Sequence, residues 1–168
     1  RLGCRPSQLL DASASLVPWS AWLPRFLSAE IRHYPDRHHH VLRSSVAALH
    51  RLDPDAVLVG NGAAELFTWV ARDAAACGLS VLPAPGFADY ARALNCWQGV
   101  LREQPLSLQW GSGFPQSFPD PGPSEVLWLC NPHNPTGQLW SRDSLAPLLP
   151  RYRLVICDEA FLPLVPDG

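Results

Sequence analysis

Asp158 closes the apolar run Leu154-Val-Ile-Cys157. A carboxylate placed after four apolar residues is partly desolvated and needs a cationic or hydrogen-bonding partner, which a protonated ring nitrogen would supply. One strand-helix step earlier, Asn134 lies between prolines in Asn131-Pro-His-Asn-Pro-Thr-Gly137, with His133 before it. Its amide can donate to a phenolate-like oxygen. The two segments put a neutral donor and a negative charge at one edge of a parallel sheet, the edge at which open α/β sheets bind ligands.

Two further segments belong to the same edge. In Val59-Gly-Asn-Gly-Ala-Ala-Glu65 a strand, a turn and a helix start follow one another, and the N–H groups of Ala63, Ala64 and Glu65 point out of the helix end. Such an end attracts phosphate. An ordinary glycine turn with a helix cap explains the segment equally, since it lacks the GK[ST] ending of a P-loop and the GxGxxG spacing. In Pro85-Gly-Phe-Ala-Asp-Tyr90, Phe87 can stack on a heteroaromatic ring, a contact of about 0.5–1.5 kcal/mol beyond burial. The alternative is that Phe87 and Tyr90 are core anchors. The run His38-His39-His40 reads as surface histidines at a helix start, because adjacent side chains diverge and no spaced partner completes a metal tetrahedron. Asp11-Ala-Ser-Ala-Ser15 is either a substrate loop or a turn.

The elements that must hold these residues alternate. Helices are expected from Val41 to His50, Ala63 to Cys77 (stopped by Gly78), about Phe87 to Trp97, and Ser141 to Leu149. Strands are expected at Val57–Val59, Ser80–Leu82, Gly99–Glu103, Glu125–Cys130 and Arg153–Cys157. Residues 105–124, rich in Pro, Gly and Ser, form a long surface loop. Alternation of this kind implies an α/β fold, a mostly parallel sheet flanked by helices with right-handed crossovers. Residues 1–33 read as an N-terminal arm, and residues 34–168 as an incomplete large domain.

The chain has 168 residues, 47% of them apolar, enough for one soluble globular domain. Its net charge of -2 comes with scattered Arg, which argues against nucleic acid and acidic membrane surfaces as partners. No stretch reaches the roughly 18 apolar residues of a membrane span. Five cysteines show no CxxC pair, and Cys130 and Cys157 end apolar strands where buried thiols are common; a reducing cytoplasm fits best. All thirteen basic residues are Arg, so Lys is absent, as is Met. With a start at Arg1, the chain reads as the first half of a larger protein.

Taken in order, Tyr34-Pro-Asp36, Gly60-Asn-Gly-Ala-Ala-Glu65, Pro85-Gly-Phe-Ala-Asp-Tyr90, Asn131-Pro-His-Asn-Pro-Thr-Gly137 and Asp158-Glu-Ala-Phe161 resemble the first half of fold-type I pyridoxal-phosphate enzymes, the class I/II aminotransferases. The similarity covers about residues 8–166 and is strongest to the histidinol-phosphate aminotransferase and threonine-phosphate decarboxylase branch. It implies pyridoxal 5'-phosphate as cofactor, with catalytic Asp158 beside the ring nitrogen, Asn134 on the phenolic oxygen, Phe87 stacked on the ring, and the backbone of Gly62, Ala63 and Ala64 around the phosphate. It also implies that Tyr34 reaches the neighbouring subunit's phosphate, hence a homodimer with shared sites. The implied activity is aminotransfer from an amino acid or amino-acid phosphate, or decarboxylation of threonine phosphate for the cobalamin side chain. Two departures stand out. Phe161 replaces a tyrosine found in many relatives, and the family's cofactor-linking lysine and substrate-binding arginine lie beyond Gly168. The missing lysine also motivates a rival reading, a non-catalytic remnant.

Overall fold

The computed structural model describes residues 34–109, 111, 113 and 115–165. It divides into two compact units, Arg1–Pro54 and Asp55–Gly168. The expected arm over residues 1–33 and the segment 11–15 lie outside the described residues.

In the first unit, helix α1 (His40–His50) begins where Asp36 accepts hydrogen bonds from the His38 and His40 N–H groups at 3.0 and 2.9 Å. These N–H groups, together with the His40 ring, hold the Asp36 carboxyl well below the usual carboxylate range. The three histidines therefore stand at a helix start, with His38 and His40 exposed.

In the second unit, helix α2 (Gly62–Cys77) buries Phe67, Ala71 and Ala74, one stripe at helical spacing. It lies against helix α3 (Ala88–Cys96), which buries Tyr90, Ala93 and Leu94. Strands β1 (Ser80–Ala84), β2 (Leu101–Pro105), β3 (Val126–Cys130) and β4 (Leu154–Asp158) form a parallel sheet in the order β2-β1-β3-β4. Side chains alternate across it: Val126, Trp128 and Cys130 of β3 join α2 and α3, while Leu127 and Leu129 face the opposite side. That opposite side is covered by Leu106, Phe118, Trp140, Leu148 and Tyr152. The expected surface loop over residues 105–124 thus begins as the end of β2 and then contributes Leu106 and Phe118 to a core layer.

Three expectations need correction. Val57–Val59 is no strand: the chain passes from the 3-10 turn Pro54–Ala56 to helix α2 without one. The helix expected from Ser141 to Leu149 shortens to α4 (Arg142–Leu145), since Pro147 cannot continue it; a 3-10 turn, Leu149–Arg151, follows. Cys130 is buried as expected, whereas Cys157 is exposed, because β4 is the sheet's edge strand.

The carboxyl edge opens between β1 and β3. Ser80 donates to the Val100 carbonyl and Ala84 accepts from the Leu106 N–H, so the even-numbered residues of β1 face β2. Residue 83 therefore faces β3, and as proline it has no N–H to offer. Pairing of β1 with β3 covers only Ser80 and Val81. Chain order also reverses here, with β2 on one side of β1 and β3 on the other, the topology that makes a ligand crevice. Two loops border this crevice. Gly86 turns the first so tightly that an added Cβ would lie 2.3 Å from the Pro83 carbonyl oxygen. His133, buried in the second loop, reaches the Pro85 carbonyl of the first through Nε2 at 2.8 Å. A carbonyl only accepts, so Nε2 carries the proton.

Trp128→Ala removes the largest fully buried side chain, at the centre of the α2–α3 layer, and is expected to lower the stability of the full-length protein by about 3–5 kcal/mol in urea unfolding. The His133 ring gives a second expectation. Burial, outweighing the pull of nearby carbonyls, lowers its pKa below the ordinary 6.5. The unfolded chain therefore binds this proton first, and stability falls as pH drops below about 6.5. Urea midpoints measured between pH 7.5 and 5.5 should decline for the natural protein and flatten in His133→Gln.

Candidate active site

Of the expected site residues, Asp158 and Ala63 line one cleft, while Gly62, Ala64, Phe87, Asn134 and Tyr34 are not among its walls. Asp158 is the last residue of β4 and stands opposite Cys130 in the ladder, inside the strand rather than after it. Its Oδ1 accepts from the Ala160 N–H at 3.0 Å and its Oδ2 from the Tyr90 hydroxyl at 2.6 Å. Among the described residues no cation pairs with it. A half-buried carboxyl with hydrogen-bond donors and no counter-charge suits a cationic ligand atom.

Asp158 lines a cleft of about 570 Å³ whose walls also include Ala63, Phe67, Ile156 and Ala160. Helix α2 opens onto it through its first turn. Gly62 has φ +75, and a Cβ there would meet nothing within 4 Å, so the approach to the helix end is open. Glu65 accepts from the Asn61 N–H at 2.6 Å and the Gly60 carbonyl accepts from the Gly62 N–H at 2.9 Å, so the N–H groups of Ala63 and Ala64 are the ones that a helix start leaves without an intrahelical partner. Arg92 adds positive charge beside that turn, donating to the Ala64 carbonyl at 3.2 Å.

Phe87 precedes α3 and remains 40% exposed. Its ring stands edge-on to Tyr90 at 5.6 Å and to Phe67 at 6.3 Å, and Phe67 lines the cleft. The alternatives for this motif divide between its two aromatics: Tyr90 is a core anchor, whereas Phe87 keeps surface for a ligand. The two asparagines of the proline loop separate in the same manner. The Asn131 amide is occupied on both sides, its Oδ1 accepting from the Trp140 N–H at 2.8 Å and its Nδ2 donating to the Trp140 carbonyl at 3.3 Å. The side-chain amide of Asn134 has no hydrogen bond among the described residues. Tyr34 lies in the first unit with its side chain fully exposed. A second cleft, of about 410 Å³ beside Leu106, Gln116 and Trp140, contains none of these residues, and no charged side chain among the described residues lines it.

Sequence reasoning overlooked four contributors: the Tyr90 hydroxyl, the His133 brace, Asn131 as the loop's tie, and Arg92. Tyr90 and Asp158 are 68 residues apart, and His133 and Pro85 are 48 apart, so no local spacing connects either pair. The Asn131 tie spans nine residues, and only its place beside the proline loop could have hinted at it.

The family described as aminotransferase class I and II matches residues 19–168. Threonine-phosphate decarboxylase of Salmonella typhimurium is 33% identical over 98% of this chain and 48% of its own length. The crystal structure of L-threonine-O-3-phosphate decarboxylase from Porphyromonas gingivalis, 31% identical, superposes with a TM-score of 0.63 over 79% of this chain and 39% of that one. Histidinol-phosphate aminotransferase from Sinorhizobium meliloti, solved in complex with pyridoxal-5'-phosphate, shares the fold at 19% identity, with a TM-score of 0.69 over 85% of this chain and 40% of its own. The chain spans about half the length of the curated relatives it matches. The α/β fold is thus shared with these solved structures, and the chain belongs to the class I and II aminotransferase family.

Proposed function

We propose that this chain is the cofactor-binding part of a pyridoxal-phosphate-dependent aminotransferase acting on an amino acid or amino-acid phosphate. The observation that carries the reading is the half-buried Asp158 carboxyl, without a cation among the described residues, in the same cleft as the first turn of α2. The donor set fits pyridoxal 5'-phosphate group by group: a helix end for the phosphate, a carboxyl for the protonated ring nitrogen, the free Asn134 amide for the phenolic oxygen, and Phe87 for the ring face. When bound, that cofactor supplies an electron-withdrawing ring to the substrate's α-carbon.

The roles of this chain's residues follow from their chemistry. Asp158 keeps the ring nitrogen protonated, a charge-assisted bond of about 1.5–3 kcal/mol. Asn134 orients the ring by donating to its phenolic oxygen. Backbone N–H groups of Gly62, Ala63 and Ala64 anchor the phosphate, that of Gly62 by exchanging its bond to the Gly60 carbonyl. Phe161 has no hydroxyl, so the phenolic oxygen gains no donor from that position. Within the same proposal, residues 34–168 form an incomplete large domain preceded by an arm over residues 1–33. The lysine and the substrate arginine come from sequence beyond Gly168, and the protein is a cytoplasmic homodimer. The fully exposed Tyr34 suits a residue that reaches a neighbouring subunit's phosphate.

A second reading, decarboxylation of threonine phosphate, is favoured by the relatives at 33% and 31% identity. Incubating the full-length protein with amino-acid phosphates separates the two. A keto product and unchanged carbon dioxide support aminotransfer, whereas released carbon dioxide supports decarboxylation. Cofactor titration tests the shared reading. Asp158→Ala should weaken affinity by about 10- to 150-fold, from roughly 1.5–3 kcal/mol. A natural full-length protein that binds no cofactor would leave the non-catalytic remnant.

A further inference from the structure

Tyr90 sits where a phenylalanine would serve the core equally well. Its ring is 3% exposed and packs 5.0 Å from Phe67 and 5.4 Å from Trp128, centroid to centroid. A buried phenol in such a cluster costs stability unless its hydroxyl finds a partner. The partner is Asp158, and the contact is short, 2.6 Å from hydroxyl to Oδ2. Burial first, and then this hydrogen bond, push the Tyr90 phenol well above the usual tyrosine range, so it remains a proton donor throughout the working pH range.

The carboxyl is thereby held from three directions. The Asp158 backbone carbonyl accepts from the Asn131 N–H at 2.8 Å, which locks the end of β4 to the proline loop. The Ala160 N–H takes Oδ1, and Tyr90, arriving from α3, takes Oδ2. A carboxylate has about four acceptor positions, and these two donors leave the others for a ligand. Rotation of the side chain would break one bond or both.

We propose that Tyr90 is a positioning residue for the cofactor: its hydroxyl fixes the plane of the Asp158 carboxyl so that a free acceptor position meets the ring nitrogen. The inference rests on the cofactor reading above. Tyr90 touches no reacting atom and acts only through Asp158.

Titration of the full-length apoprotein tests this with two probes, pyridoxal 5'-phosphate and its deaza analogue, in which a C–H replaces the ring nitrogen. Tyr90→Phe retains the ring between Phe67 and Trp128, and thermal melting confirms that the variant is folded. Expected are about tenfold weaker binding of pyridoxal 5'-phosphate, unchanged binding of the deaza analogue, and no additional loss when Tyr90→Phe is combined with Asp158→Ala. Equal weakening for both probes, or full additivity with Asp158→Ala, overturns the proposal in favour of a purely structural tyrosine. Unchanged binding of pyridoxal 5'-phosphate by Tyr90→Phe overturns it while the cofactor reading stands. Failure of the natural protein to bind pyridoxal 5'-phosphate overturns both.

Discussion

A missing N–H at the centre of the sheet ends one ladder short of the carboxyl edge. Pro83 occupies the face of β1 that points to β3, and the ladder between these strands covers only Ser80 and Val81. Had it continued, the two strands would close against each other where their loops now part. Strand order reverses at the same place, so local backbone chemistry and topology coincide where open α/β sheets form a ligand crevice. The opening is braced rather than loose. His133 ties one loop to the other through the Pro85 carbonyl, and Asn131 closes the proline loop on Trp140.

Next to that crevice, the balance of polar groups is selective. The amide of Asn131 is fully engaged while that of Asn134 is free, although both belong to one seven-residue motif. Asp158 has two donors and no cation among the described residues. Hydrogen bonds alone keep its carboxyl in place, so its negative charge remains available to a ligand. The open helix end of α2 across the cleft supplies the opposite polarity. A ligand carrying an anionic group at one end and a cationic ring atom at the other matches both walls.

Legibility in the sequence followed the range of the interactions. Helix α2 and the strand ending in Cys130 were readable because periodicity and terminators are local, and α2 starts one residue from where expected. The failures arose where local pattern and tertiary setting part company. Val57–Val59 has the composition of a strand but forms none, and composition cannot supply the ladder on which a strand depends. The segment 105–124 has the composition of a surface loop, yet Leu106 and Phe118 are buried against Val81, Leu127 and Leu129 of the sheet. Pro147 was an available warning against the long helix after Ser141.

The types of chemistry were determined by sequence alone. A carboxylate after an apolar run, an asparagine between prolines, a glycine turn entering a helix and an aromatic after Pro-Gly each set their own local geometry, and their order was sufficient to indicate the family. Assignment within each motif was left to the tertiary structure: which asparagine is spent, which aromatic is buried, and which hydroxyl holds the carboxyl. Those outcomes depend on contacts such as Tyr90 with Asp158, across 68 residues of chain, and His133 with Pro85, across 48. Parallel strands bring together residues whose separation in sequence is set by crossovers of variable length, so no spacing rule can reveal such pairs before the sheet is formed.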